Sequence, residues 1–341
     1  MRYLIANKEA LKDEVRSVWA AAGGRTSGSW QQVFGDTPQA REFFMAWHYA
    51  RFINQVAQSG RAVHDLPMFV NAWIVQQPGD LPGVYPNGGP VSRVMDIYKA
   101  AAPAIDVICP DIYLPNYQEI YRMYHRPADN PLLVPESSLD AARAFYAFAE
   151  HDAICFSPFG IEDAAGDVLF SASYGVLQEL APLITRYQGT GRMRGIHLAR
   201  DHQDETLQLG GYEVSLKIQD PDQPAFGLII HESEETFLVC GMNFKATFRQ
   251  ISADHLYYIG QVSEGRFEAG QWVEMRWLNG DETYHHELLR ALGRETVLDA
   301  GFQFEETQLE VGEGEQFVYS PGSRKAVTTP GIYRVRLYRR E

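Results

Sequence analysis

The sequence predicts an α/β half followed by an all-β half: four strand–helix units of parallel sheet, then an antiparallel β-sandwich. Three observations predict it. Between residues 61 and 188, short and wholly apolar runs alternate with amphipathic stretches. Consecutive rather than alternating apolar residues mark strands covered on both faces, as in a parallel sheet. After Gly189 the texture changes to short β-rich segments between Gly-, Pro- and Asp-rich turns, the rhythm of a sandwich. The 341 residues also leave room for two domains at ~150 residues each, drawn here at 1–188 and 189–341.

Taken in order, residues 2–22 carry Leu4, Leu11, Val15, Val18 and Trp19 at helical spacing, stopped by Gly23-Gly24. Residues 25–35 are rich in Gly, Ser and Thr and read as a loop. Thr37 is an N-cap and Pro38 a first helical residue for a second helix that runs to about Gly60. Residues 68–73 form the first strand. A long Pro/Gly loop follows at 76–90, of a length more often functional than connecting. Then come a helix at 91–102, a strand at 105–113, a helix at 116–124 and a strand at 132–136. A helix at 139–150, a strand at 153–159 and a helix at about 171–186 complete four units, half of an eight-stranded (β/α) barrel. Beyond them, strands are expected at 207–218, 225–231, 236–240, 256–261, 272–278, 302–309, 316–319 and 332–338. The last alternates cleanly, with Tyr333, Val335 and Leu337 on one face and Arg334 and Arg336 on the other.

Composition narrows the function. At 45% hydrophobic and 12% aromatic, the chain is too apolar for disorder. A net charge of −14 repels phosphates, which argues against nucleic acid and anionic membrane as partners and is compatible with a neutral sugar. The three cysteines, Cys109, Cys155 and Cys240, lie at no metal-ligand spacing and read as small buried hydrophobes. No zinc-binding, nucleotide-binding or calcium-binding pattern occurs, so neither metal nor cofactor is expected. No apolar run near ~18 residues and no signal-peptide pattern is apparent, so the chain as it stands reads as cytoplasmic and its compartment is left open.

The candidate site starts from Glu136. A short buried strand, stiffened by Pro135, delivers this carboxylate to its C-terminal tip, where a (β/α) barrel presents catalytic groups. A lone strand-end Glu is more often a helix cap or an Arg partner, but the neighbouring strands favour a site. The first ends in Asn71 and Trp73, the second in Asp111 and Tyr113, and the fourth in Ser157 and Phe159, with Glu162 just beyond. Tyr85, in the long loop, joins the candidates. Aromatic faces stack on pyranose C–H groups, amides and carboxylates bond hydroxyls, and a carboxylate attacks an anomeric carbon or stabilises an oxocarbenium ion.

Asn71-Ala-Trp73, Tyr85-Pro-Asn-Gly-Gly-Pro90, the run from Ala104 to Tyr113, Asn130-Pro-Leu-Leu-Val-Pro-Glu136 and the run from His151 to Asp163 together resemble bacterial β-galactosidases of glycoside hydrolase family 35, the branch with a β-rich C-terminal domain. The resemblance implies the C-terminal half of a (β/α)8 TIM barrel, strands five to eight, followed by the sandwich. It implies a retaining hydrolase of terminal β-galactosides, with Glu136 as nucleophile and Tyr113 as the residue that hydrogen-bonds it. Asn71, Trp73, Tyr85, Asp111, Phe159 and Glu162 then fall in or near the sugar site. One departure matters: such enzymes carry their acid/base Glu in a Gln-Val-Glu-Asn-Glu-type motif, and this sequence has none. The chain is therefore expected to lack the N-terminal half of the barrel and its proton donor. It would obtain them from a missing N-terminal half, from a second copy in a homo-oligomer or as one half of a two-chain enzyme, or else be a non-catalytic carbohydrate-binding or interaction remnant.

Overall fold

The computed structural model describes residues 1–77, 79–251, 257–280, 282–283, 289–291, 293–297 and 326–339. They fall into two compact units: Met1–Asp140 with His151–Ile161, and Ala141–Glu150 with Glu162–Glu341.

The first unit opens with three short helices, α1 (Arg2–Ala6), α2 (Asp13–Ala21) and α3 (Trp30–Phe34), and one long one, α4 (Pro38–Val63). The helix expected over residues 2–22 is broken in its middle. Leu11 is extended at φ −64° and ψ 148°, and the Lys12 amide donates to the buried carboxylate of Asp96 at 2.6 Å, a tertiary bond that outweighs local propensity. Residues 25–35 are not all loop. Ser29 accepts from the Gln32 amide while the Gln32 side chain accepts from the Ser29 amide, a reciprocal capping box that starts α3. Thr37 caps α4 as expected, bonding the Ala40 amide at 3.1 Å, with Pro38 in the first turn.

A parallel sheet follows, its strands side by side in chain order: β1 (Phe69–Ala72), β2 (Val107–Ile112), β3 (Leu133–Ser137) and β4 (Cys155–Pro158). Helices α5 (Met95–Ala101) and α6 (Tyr117–Tyr124) sit between strands one and three. Ile97, Tyr98, Ile108, Ile112, Tyr121, Tyr124, Leu132 and Val134 are buried and form much of this unit's core. Parallel strands share one direction, so all four C-terminal ends lie along the same margin of the sheet. β1 and β4 are its edges, and neither has a second strand neighbour among the described residues.

The buried Asn130 fixes β2 from the side. It donates to the Ile108 and Tyr124 carbonyls at 3.0 and 2.8 Å and accepts from the Ile108 amide at 2.9 Å, standing in for a strand neighbour. An ion pair stands next to it, since Arg126 and Asn130 exchange backbone hydrogen bonds. Arg126 meets Asp96 at 2.5 Å, and Asp129 flanks the same guanidinium at 2.5 Å.

The second unit begins with helices α7 (Ala141–Glu150) and α8 (Val168–Tyr187), then runs through antiparallel strands. The sequence reading placed both helices with the parallel sheet, ending that half at residue 188. The compact units instead count them with the strands, because their contacts lie there. Phe145 packs edge-on to Phe226 at 5.3 Å, and Glu150 holds Arg194 in a two-pronged pair at 2.8 and 2.9 Å. Against the expectation of no apolar run near ~18 residues, α8 is by length and composition apolar enough to cross a membrane, but its Phe170, Leu177, Leu180 and Ile184 are buried.

The strands are β5 (Met193–Leu198), β6 (Asp204–Leu209), β7 (Tyr212–Ile218), β8 (Ala225–Ser233), β9 (Thr236–Met242) and β10 (Phe244–Gln250). They continue as β11 (Tyr257–Glu268), β12 (Gln271–Trp277), β13 (Leu289–Ala291), β14 (Arg294–Val297), β15 (Ala326–Thr329) and β16 (Gly331–Arg339). One sheet runs β12-β11-β16-β9-β8-β5, another β13-β10-β7-β6, and β14 pairs with β15. Leu207, Val214, Phe244 and Ala246 from the smaller sheet share one core with Phe237, Val239, Val262, Tyr333 and Val335 from the larger. Tyr333, Val335 and Leu337 are buried, as the alternation of the last strand requires.

The expected strand at 207–218 is a hairpin, β6 and β7, turned at Gly210 and Gly211 with φ of 59° and 84°. That is the geometry glycine supplies to a two-residue turn. β5, β10, β13, β14 and β15 fall outside the expected strands. The expected strands at 302–309 and 316–319 lie outside the described residues.

Candidate active site

Glu136 stands near the end of β3, and the register sets it beside Asp111 on β2. The strand is not regular there. The β3–β4 register shifts between Val134 and Ser137, and Pro135, inside that interval, has no amide hydrogen to give the ladder. An irregularity of this kind re-aims the side chain that follows it. Immediately behind, the buried Ser137 hydroxyl donates to the Ile112 carbonyl at 2.9 Å and pins β3 to β2.

Two hydrogen-bonded pairs then stand along the C-terminal margin of the sheet. The Tyr113 hydroxyl donates to Glu136 Oε1 at 2.7 Å. Asn71 Nδ2, one strand further out on β1, donates to both carboxylate oxygens of Asp111, at 3.1 and 3.0 Å. Three adjacent strands thus contribute four polar groups to one cluster.

Electrostatics tie the pairs together. Partial burial pushes the Asp111 carboxyl up, the charge of Glu136 adds to this, and the Asn71 hydrogen bond opposes it. Burial also lifts the Tyr113 phenol, and its hydrogen bond to Glu136 and the charges of Glu136 and Asp111 carry it to about 12. Tyr113 is therefore a standing donor to Glu136 at neutral pH. Cys109, deeper on β2, is no nucleophile, since burial raises its thiol to about 12.

Trp73 and Phe159 directly follow the two edge strands, β1 and β4, and are 58% and 68% exposed. Tyr85 does not join the cluster. Its ring is buried, its hydroxyl donates to Glu42 of α4 at 2.5 Å, and Arg93 lies 5.2 Å from the ring centre. Glu162 is exposed in a short turn, Ile161–Ala164, and counts with the second unit. Among the described residues no group of three or more His, Cys, Asp or Glu is placed to hold a metal ion.

Sequence reading missed Ser137, Asn130 and Glu42. Asn130-Pro131 marks a turn before an apolar run, which hints at Asn130. Glu42 sits among apolar residues at helical spacing, where a lone carboxylate needs a partner. Ser137 reads in the sequence only as a candidate N-cap for the helix after β3, whereas its hydroxyl goes to the Ile112 carbonyl.

Residues 170–290, a minority of the chain, match a family described as a domain of unknown function, DUF5597. That match runs from α8 into the antiparallel sheets and does not reach the parallel sheet that carries Glu136. No curated protein matches the chain.

Proposed function

We propose that the first unit carries the nucleophile half of a retaining glycoside hydrolase site, of the β-galactosidase type that the strand-end motifs resemble. The observation that carries the reading is the Tyr113–Glu136 hydrogen bond beside the Asn71–Asp111 pair. In this reading the four-stranded sheet is half of a (β/α)8 barrel, and the second unit is a β-sandwich. The edges β1 and β4, unpaired among the described residues, support the first part, and the core shared by two antiparallel sheets supports the second.

The chemistry follows from the groups present. A carboxylate Oε of Glu136 attacks C1 of a terminal β-galactoside, the C1–O bond to the leaving group breaks, and a glycosyl ester forms that water later hydrolyses. Tyr113 orients Glu136 through Oε1, and its high pKa keeps the donated proton on the phenol. Asn71 and Asp111 bond sugar hydroxyls, and the exposed rings of Trp73 and Phe159 stack on the sugar. Asp111 is a poor proton donor to the leaving group because Asn71 occupies both of its oxygens. The proposal therefore assigns the acid/base to a group outside this cluster of four.

That assignment selects the experiment. Hydrolysis of aryl β-galactosides is compared for wild type and Glu136→Gln, using leaving groups of decreasing pKa. Turnover that grows as the leaving group needs less protonation, and that vanishes in the variant, supports the reading. Equal rates in the two proteins contradict it.

A second reading, a non-catalytic carbohydrate-binding module, is favoured by the same lack of a free second carboxyl in the cluster. Calorimetric titration with galactose separates the readings: binding without turnover of any aryl galactoside selects the module.

A further inference from the structure

The second unit holds a groove that the Glu136 chemistry does not use. It lies on one face of the larger sheet, where β12, β11 and β16 adjoin, and is lined by Gln261, Ser263, Trp272, Glu274, Arg334 and Arg336, with a volume of about 60 Å³. The register puts these side chains on a common face. Trp272 and Glu274 of β12 stand opposite Phe267 and Gly265 of β11, and Trp277 opposite Ser263. On the other side of β11, Ser263 faces Arg334 and Gln261 faces Arg336.

The groove is built. A side chain at position 265 would come within 2.5 Å of the Trp272 ring, so only glycine lets the indole lie down against the sheet. Arg334 covers that ring, 4.7 Å from its centre, and is locked there by a two-pronged pair with Glu232 at 2.9 and 3.0 Å. The Trp277 indole N–H donates to Glu274, which fixes the ring, while the ring itself is 66% exposed. Arg336 is exposed and forms no ion pair among the described residues. An exposed guanidinium without an ion pair thus stands beside a held Trp, an amide, a hydroxyl and the Glu274 carboxylate, which the Trp277 N–H already engages.

We propose that this face is a second binding site, for an acidic saccharide: a sugar carboxylate is taken by the Arg336 fork, and a neighbouring ring rests on Trp277. A guanidinium matches a carboxylate in planar, two-pronged fashion. Gln261, Ser263 and Glu274 offer donors and acceptors to hydroxyls. Trp277 and Arg336 are two strands apart across the sheet, about 10 Å, and offset by two residues along it, about 7 Å. That span suits two or three linked sugar rings. The site is independent of the Glu136 reading, since no residue is shared.

The test is calorimetric titration of the full chain with α-1,4-linked trigalacturonate and with α-1,4-linked galactotriose, which differ only in their carboxylates. The expected result is binding of the acidic trisaccharide at least about tenfold tighter than the neutral one. That preference is lost in Arg336→Gln, and Trp277→Ala weakens both ligands. Both positions are exposed, so the variants fold, and thermal unfolding alongside checks this. No binding of trigalacturonate at millimolar concentration, equal affinity for the two sugars, or an unchanged preference in Arg336→Gln would overturn the proposal.

Discussion

Tyr113 directly follows β2 and Glu136 stands on its parallel neighbour β3, and the phenol of one donates to the carboxylate of the other at 2.7 Å. Burial, the bond itself and the charges of Glu136 and Asp111 hold the Tyr113 phenol up at about 12, against ~10 for a free tyrosine. In Glu136→Gln the acceptor charge and its attraction for the proton disappear. The Tyr113 resonance in a ¹³Cζ-tyrosine spectrum should then titrate at lower pH than in wild type. An unchanged midpoint would mean that burial alone sets it.

Asp111 should respond to its two neighbours in opposite directions. Removing the Asn71 amide in Asn71→Ala takes away the interaction that favours the carboxylate, so the Asp111 pKa rises further. Removing the negative charge in Glu136→Gln lowers it. Carboxyl ¹³C titrations of the two variants read both shifts. A common direction would break the proposed arrangement of the cluster.

The same raised pKa bears on stability. A carboxyl whose folded pKa exceeds its unfolded value stabilises the fold below the unfolded pKa, and this contribution is lost as pH rises through the folded one. At neutral pH the ionised Asp111 therefore weighs against folding. Asp111→Asn should raise Tm at pH 7, and the gain should shrink as pH falls below the carboxylate range. Thermal scans across that range test the sign, and a gain that grows toward acid pH would contradict it.

Asn130 predicts a larger effect. Asn130→Ala strands the Ile108 amide and carbonyl at a buried strand. At 1–3 kcal/mol for each unsatisfied group, the loss in a urea titration should be roughly 3 kcal/mol or more. A loss below about 1 kcal/mol would show that another group has taken over the clip.

At Asp96 and Arg126 the asymmetry of buried ion pairs should appear. Arg126→Met leaves the Asp96 carboxylate buried without its guanidinium. That should cost roughly 3–5 kcal/mol, whereas replacing both partners with apolar residues should recover much of it. A double variant no better than the single one would refute this.

Much of this architecture was readable from local pattern. The consecutive apolar residues before Asn71, Asp111 and Glu136 announced parallel strands, and the polar residue ending each run announced the margin where the cluster forms. Thr37-Pro38 placed the start of α4. What escaped was set by tertiary contact. The break at Leu11 depends on the bond from Lys12 to Asp96, 84 residues further along the chain. The assignment of α7 to the second unit depends on Glu150 meeting Arg194. Tyr85 lies in a long Pro/Gly loop of the kind that carries function, yet its hydroxyl turns inward to Glu42. Exposure of one loop side chain is decided by a partner that the loop's own sequence does not contain.

Covalent trapping of Glu136 tests the central claim most directly. A 2-deoxy-2-fluoro-β-galactoside with a dinitrophenolate leaving group needs no acid catalyst to depart, so the reaction asks only whether the nucleophile is in place. The prediction is a stoichiometric mass increase of the intact chain by one fluorogalactosyl group, mapped by peptide sequencing to Glu136 and absent in Glu136→Gln. A folded protein that stays unlabelled, or that carries the label on another residue, would contradict the account.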